Sequence, residues 1–189
     1  MYQKILNEAI QEMQDEEFET LGDNRPADNS ALLHRECLLE TDIEAMFPTD
    51  YVSSVSERMS LYKELESIQD LEKLEDFKKK VVDIFGQMPA KTEELMLTVP
   101  LRLLAGDLHF EKVVLKNKTF MGHFAGNANA PYFQSEEFGR VLAFMQRNHP
   151  LIQLKEINHH LVFIVHNIPT IRAALHWLEK LNHSIKADA

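Results

Sequence analysis

The amino-acid sequence predicts an α+β fold, with helices packed on a small, mainly antiparallel sheet made of hairpins. Two observations lead there. Segments whose apolar residues recur at helical spacing come in a run, and segments that turn back about a short polar centre follow them. Strict alternation of strand and helix, the mark of a doubly wound sheet, is missing.

YQKILNEAIQEM, near the start, places Ile5, Leu6, Ala9 and Met13 on one side of a helix. The stretch QDEEFETLGDNRPADNS is acidic, turn-rich and poor in apolar residues, and reads as a flexible connector. The expected organisation is a terminal helix over 1–17, an acidic linker over 18–33 and one domain over 34–189. ECLLET reads as a short strand and DIEAMFPTDYV as a loop descending to Pro48. SSVSERMSLYKELESI is a helix capped by Ser53 or Ser54, with Val55, Met59, Tyr62 and Leu65 as its inward stripe.

DLEKLEDFKKKVVDIF is a stronger helix. Its Leu74, Phe77, Val81, Ile84 and Phe85 keep to one face, Asp70 can accept from the free amides of the first turn, and Asp83 is left on the far side. Gly86 can take the left-handed conformation that closes a helix, and Pro89 can sit in the first turn of the next one, so the local design is helix, tight corner, helix. The following segment, PAKTEELMLTVPLRLLAGDLHF, is a helix that Pro100 should kink or divide in two, because proline brings no backbone N–H.

EKVVLKNKTFMGHF then reads as a hairpin turning near Asn117 and Lys118, and FAGNANAPYF as a loop. SEEFGRVLAFMQRNHP is a helix with Phe138, Val141, Leu142 and Met145 inward. A second hairpin turns about Asn158 and His159, and its LVFIV run suits a strand covered on both faces. Pro169 and Thr170 open the closing helix.

A chain of 189 residues with 44% hydrophobic content suffices for one sizeable domain with an appendage. No apolar run approaches the roughly 20 residues that span a membrane, and no basic-then-apolar leader opens the chain. The single cysteine, Cys37, allows no internal disulfide, which fits a reducing cytoplasm. Charge is uneven. Residues 1–50 hold thirteen acidic against three basic side chains, a balance of −10, while residues 51–189 hold seventeen of each. Direct nucleic-acid binding needs a basic face, so this balance disfavours it. The acidic segment is best read as solvated.

Nucleotide-binding fingerprints of the GxxxxGK[ST] and GxGxxG kinds are absent, as are CxxC, HExxH and GxSxG. Among nine histidines, His159 and His160 would point to opposite faces of a strand, and His176 and His183 lie two turns apart on one helix. His123, His160 and His166 fall in strands and read as core or edge histidines rather than metal ligands. Lys78, Lys79 and Lys80 fan around a helix among Glu72, Glu75, Asp76 and Asp83, so a mixed-sign solvated face is preferred over a phosphate site. Two other classes stay open: a metal- or phosphate-dependent hydrolase assembled from His and Asp residues of the second half, and a nucleic-acid adaptor built on Lys78–Lys80.

ERMSLYKELESIQDLEKLEDFKKKVVDIFGQMP resembles the C-terminal domain of bacterial transcription-repair coupling factors. Arg58, Tyr62 and Lys63 match the Arg and the aromatic-Tyr-Lys group of the family pattern. Asp83, Phe85, Gly86 and Pro89 match its Asp-Arg-Phe-Gly and following Pro, with Ile84 standing in place of the Arg. Tyr2, Leu6 and Ala9 match a Tyr-x-x-x-Leu-x-x-Ala pattern at the end of the family's motor, so residues 1–17 are expected to be the tail of that motor. The resemblance implies a domain without catalysis or cofactor of its own, cut from an ATP- and magnesium-dependent DNA translocase that binds RNA polymerase, UvrA and DNA. It also implies an intramolecular partner, the UvrB-like N-terminal module, whose UvrA-binding surface this domain would mask. Asp76, Lys79, Lys80 and Asp83 are the expected contact residues. For Arg58, Tyr62 and Lys63 the preferred reading is helix packing, with the lysine stem lying along the surface.

Overall fold

The computed structural model describes residues 37–126, 130–148, 151–157 and 160–187. The expected helix over 1–17, the linker over 18–33 and the turn at Asn158 and His159 lie outside the described residues.

A five-stranded sheet carries the domain. Its strands are β1 (Leu38–Thr41), β2 (Phe110–Lys116), β3 (Thr119–Phe124), β4 (Ile152–Ile157) and β5 (His160–His166), in the spatial order β1-β2-β3-β5-β4. Only the β1–β2 pairing is parallel; the others are antiparallel. The β2–β3 hairpin closes on Asn117 and Lys118, both at positive φ (51° and 56°), as a two-residue turn matching the strand twist requires. Within β3, Gly122 has a packing reason. A Cβ there would lie 2.7 Å from the Phe110 ring, so the ring's seat on the sheet exists only because the side chain is absent.

The helices are α1 (Val55–Glu66), α2 (Leu71–Phe85), α3 (Ala90–Asp107), α4 (Glu136–Arg147) and α5 (Ile171–Ala187). Ser54 caps α1, Asp70 caps α2 and Ser135 caps α4, each accepting a backbone amide of the first turn. At α5 the Thr170 hydroxyl accepts from the Ala173 amide. Inside the expected 124–133 loop, Pro131–Gln134 form a short 3₁₀ turn.

Two hydrophobic cores result. One lies against the sheet and gathers Phe110, Phe120, Phe124 and Phe163 with Leu101, Ala105, Val141, Ile171, Leu178 and Leu181. The other gathers Phe47, Val52, Leu61, Leu65, Ile68, Leu74, Phe77 and Val81 with Leu95, Met96 and Val99. Helix α3 serves both. At about 100° per residue, Leu95, Met96, Val99 and Leu103 face one way, and Leu97, Leu101, Leu104 and Ala105 the opposite way. A helix walled in on two sides keeps only a narrow polar stripe, here Glu94, Thr98 and Arg102 at four-residue spacing in ELMLTVPLRLLAG.

Pro100 does not divide that helix: α3 runs unbroken from Ala90 to Asp107. Proline removes one backbone hydrogen bond, whereas the apolar side chains held on both faces contribute about 1.5–3 kcal/mol each, so burial wins. Pro89 stands one residue before the helix, as its N-cap, rather than in its first turn. Gly86 closes α2 with φ 85° and ψ −163°, which is positive φ with an extended ψ instead of the left-handed helical pair. That combination is open essentially to glycine alone, and nothing lies within 4 Å of where a Cβ would be, so the backbone and not crowding requires glycine there.

Four inward assignments shift. Val55 and Met59 are exposed, and α1 buries Leu61 and Leu65 instead, with Arg58 and Tyr62 half-buried. Ile84 is 60% exposed, because half-buried Phe85, about 100° around the helix from it, takes the last inward place after Leu74, Phe77 and Val81. Leu142 is exposed, and Phe144 takes the buried place on α4.

Candidate interaction surface

The corner between α2 and α3 is braced from a loop more than thirty residues earlier. Tyr51 lays its ring against Phe85, centroids 5.9 Å apart, and its hydroxyl donates to the Gly86 carbonyl at 2.7 Å. Burial pushes that hydroxyl's pKa up, which keeps it a donor. The brace is itself held by α1. Arg58 donates to the carbonyls of Val52 and Ser53, and the Tyr62 hydroxyl accepts from the Phe47 amide at 2.9 Å while its ring meets Phe47 edge-on. Arg58, Tyr62, Phe85 and Gly86 therefore belong to one scaffold, Pro89 caps the next helix, and Lys63 remains exposed.

That scaffold fixes how α2 presents its outer face. Opposite Leu74, Phe77 and Val81 runs a stripe of Glu72, Asp76, Lys79 and Asp83, all exposed. Lys79 pairs with Asp76 at 3.2 Å and Lys78 with Glu75 at 2.7 Å. Lys80 turns toward α1 and holds the Glu64 carboxylate at 2.7 Å. Each of the three lysines thus answers a neighbouring carboxylate, and they do not combine into one cationic patch. Asp76, Lys79 and Asp83 share the outer stripe, with Lys80 at its border.

Asp83 differs from its neighbours. Among the described residues no ion pair or hydrogen bond meets its carboxylate, and the last turn of α2 carries no basic side chain. A carboxylate there faces the negative end of the helix dipole, an arrangement that costs about 0.3–1 kcal/mol where a cation would stabilise. Among the described residues Asp83 is therefore an exposed anion without a paired cation, at the corner that Tyr51 braces.

Elsewhere the side chains gather into pairs rather than a site. His160 lies 3.4 Å from Glu111, His109 3.6 Å from Glu137, and His176 3.8 Å from Glu179. His176 and His183 line a shallow groove with Phe144, Glu179, Lys180 and Ser184. His166 Nδ1 sits 3.3 Å from the Thr119 hydroxyl. Burial, then the Lys112 charge, lowers the pKa of His123. Among the described residues no group of three or more His, Cys, Asp or Glu side chains is placed to hold a metal ion, and no helix is long and apolar enough to cross a membrane. Burial pushes the Cys37 thiol up to about 12, which makes it a poor nucleophile.

The family model described as the TRCF domain matches residues 41–135, about half of the sequence. The chain belongs to the TRCF domain family. Every motif residue from Arg58 to Pro89 lies inside the matched stretch. A transcription-repair-coupling factor of Haemophilus influenzae is 28% identical over 113 residues, which are 60% of this chain and 9% of that protein. The Rickettsia prowazekii factor is 25% identical over 161 residues, 85% of this chain and 13% of that protein. The Escherichia coli factor is 23% identical over 149 residues, 79% of this chain and 10% of that protein. This TRCF domain thus spans about a tenth of the length of the curated relatives it matches. It also shares its fold with the crystal structure of the C-terminal domain of a transcription-repair coupling factor, at a TM-score of 0.62 and 15% identity, covering 82% of this chain and 96% of that one.

Tyr51 and Phe47, which hold the corner, were not evident from sequence. Their partners lie 35 and 15 residues away, and nothing in TDYV marks an aromatic that reaches across a helix end.

Proposed function

We propose that this TRCF domain is a non-catalytic regulatory domain of an ATP-driven DNA translocase that removes stalled RNA polymerase and recruits UvrA for nucleotide excision repair. It acts as a lid: the outer stripe of α2 docks on the UvrB-like N-terminal module of the same protein and masks the UvrA-binding surface. The observation that carries this reading is Asp83, an exposed anion with no ion-pair partner among the described residues, held at a braced corner inside the stretch that the family model matches. A cation on the docked module would relieve the dipole conflict and form a charge-assisted hydrogen bond. Masking needs only modest coupling, since about 1–3 kcal/mol between closed and open states changes exposure about 5- to 150-fold. Asp76 and Lys79 satisfy each other and would serve orientation and association rate more than affinity. In this reading the protein is cytoplasmic, and the domain contacts neither DNA nor membrane directly.

Titration calorimetry of the chain against the N-terminal module, with duplex DNA as control, tests the proposal. Heat of binding to the module and none to DNA is expected. Salt-sensitive binding to DNA without binding to the module would overturn it.

A further inference from the structure

The layering of the domain points to a second property. Residues 43–88, which comprise the loop before α1, both α1 and α2, and the corner, pack mainly on the outer face of α3, while Ile43 at their start sides with the core against the sheet. The core they build shares no buried side chain with the core against the sheet, and half-buried Ala45 alone touches both. Eight buried apolar side chains serve this whole layer, from Phe47 to Val81, while five large ones (Val55, Met59, Leu71, Val82 and Ile84) stay exposed.

The polar contacts follow the same division. Within the layer, Arg58 holds the Val52 and Ser53 carbonyls, Tyr62 the Phe47 amide, Tyr51 the Gly86 carbonyl and Lys80 the Glu64 carboxylate. Its ties outward run to α3: the Thr92 hydroxyl donates to the Met46 carbonyl at 3.0 Å, the Met46 amide donates to the Lys91 carbonyl at 3.1 Å, and Arg102 reaches the Glu66 carbonyl at 3.4 Å. Helix α3 in turn is fastened to the sheet layer, where the Glu94 carboxylate accepts from the Ile171 amide at the start of α5, at 2.9 Å.

We infer that residues 43–88 form a cooperative unit of their own, which opens from α3 while the sheet layer stays folded. Contiguous units of this kind, with few buried contacts to the remainder, are those that open sub-globally below the cost of full unfolding. The stripe carrying Asp83 lies entirely on this unit, so it is presented or withdrawn as a whole. The inference concerns the free chain and does not depend on what the stripe docks against.

Hydrogen exchange read by mass spectrometry on the full chain, in wild type and in Leu74→Ala, tests it. In wild type, α1 and α2 are expected to exchange through one shared opening, on the order of tenfold or more faster than the centres of β3 and β5. Leu74→Ala removes a side chain only 2% exposed, in the outer core alone, and should speed exchange in α1 and α2 together by roughly thirtyfold or more while β3 and β5 keep their wild-type rates. Equal acceleration in all four elements, or loss of the folded sheet in the variant, would overturn the inference. A urea series on the wild type decides independently of any variant: a separate, shallower urea dependence for α1 and α2 supports the unit, and a single dependence shared with the strands refutes it.

Discussion

Replacing Asp83 with Asn is expected to move two measurements in opposite directions. The substitution keeps size and helix propensity nearly constant and removes one negative charge from the last turn of α2, where no basic residue offsets it. Relief of the dipole conflict should stabilise the free chain by about 0.3–1 kcal/mol. With a urea slope of about 2 kcal/mol per molar, typical of a small domain, the midpoint should rise by roughly 0.2–0.5 M. The gain should shrink at 1 M salt, where the screening length falls to about 3 Å. Docking should respond the other way. Losing a hydrogen bond to a charged partner costs about 1.5–3 kcal/mol, which raises the Kd for the N-terminal module roughly ten- to hundredfold. Urea unfolding followed by circular dichroism and calorimetric titration read the two quantities on the same preparation. A lower midpoint with an unchanged Kd would refute the argument, because it would make Asp83 a structural residue and remove the reason for an uncompensated carboxylate at that position.

Three further outcomes test the supports of the surface. Tyr51→Phe removes the hydroxyl that donates to Gly86 at 2.7 Å and leaves the ring on Phe85, so urea unfolding should show a loss of about 0.5–1.5 kcal/mol; no loss would mean that water replaces the bond. Glu94→Ala leaves the amide of fully buried Ile171 without its charged acceptor and should cost about 1.5–3 kcal/mol by the same measurement, with Glu94→Gln recovering part of it; equal loss in both variants would assign the effect to charge rather than to the bond. Cys37 predicts a pH dependence. Its thiol is held up at about 12 when folded against an ordinary 9.0, so above pH 9 the unfolded chain releases a proton that the folded chain keeps. Stability should therefore fall from pH 9 toward pH 11 by roughly 1 kcal/mol per pH unit under reducing conditions, and Cys37→Ala should remove that decline; an identical pH profile in the variant would show that another group is responsible.

What the sequence made legible, and what it hid, follow from whether the deciding interaction was local. The cap at Asp70, the choice of Ser53 or Ser54 as the cap of α1, the turn at Asn117 and Lys118 and a helix end at Gly86 depend on nearby residues and could be read directly, though the exact ψ of Gly86 could not. The second face of α3 could not. An apolar residue at every turn position is compatible with one crowded face or with two opposed cores, and only the arrival of α1 and α2 on one side and the sheet on the other decides between them. The same ambiguity misplaced Ile84. Adjacent apolar residues at 84 and 85 cannot both lie on the core line, and the choice fell to Phe85 because Tyr51, 34 residues earlier, supplies a ring for it to meet. The residue left outside is then an aliphatic side chain, 60% exposed, at the position where the resemblance implies an arginine, one residue after Asp83. An arginine at 84, about 100° around the helix from Asp83, would have put a cation in the very turn where the helix dipole favours one. Without it no cation of the described residues pairs with the Asp83 carboxylate, so in the proposed docking Asp83, and not the three paired lysines, is expected to supply the affinity.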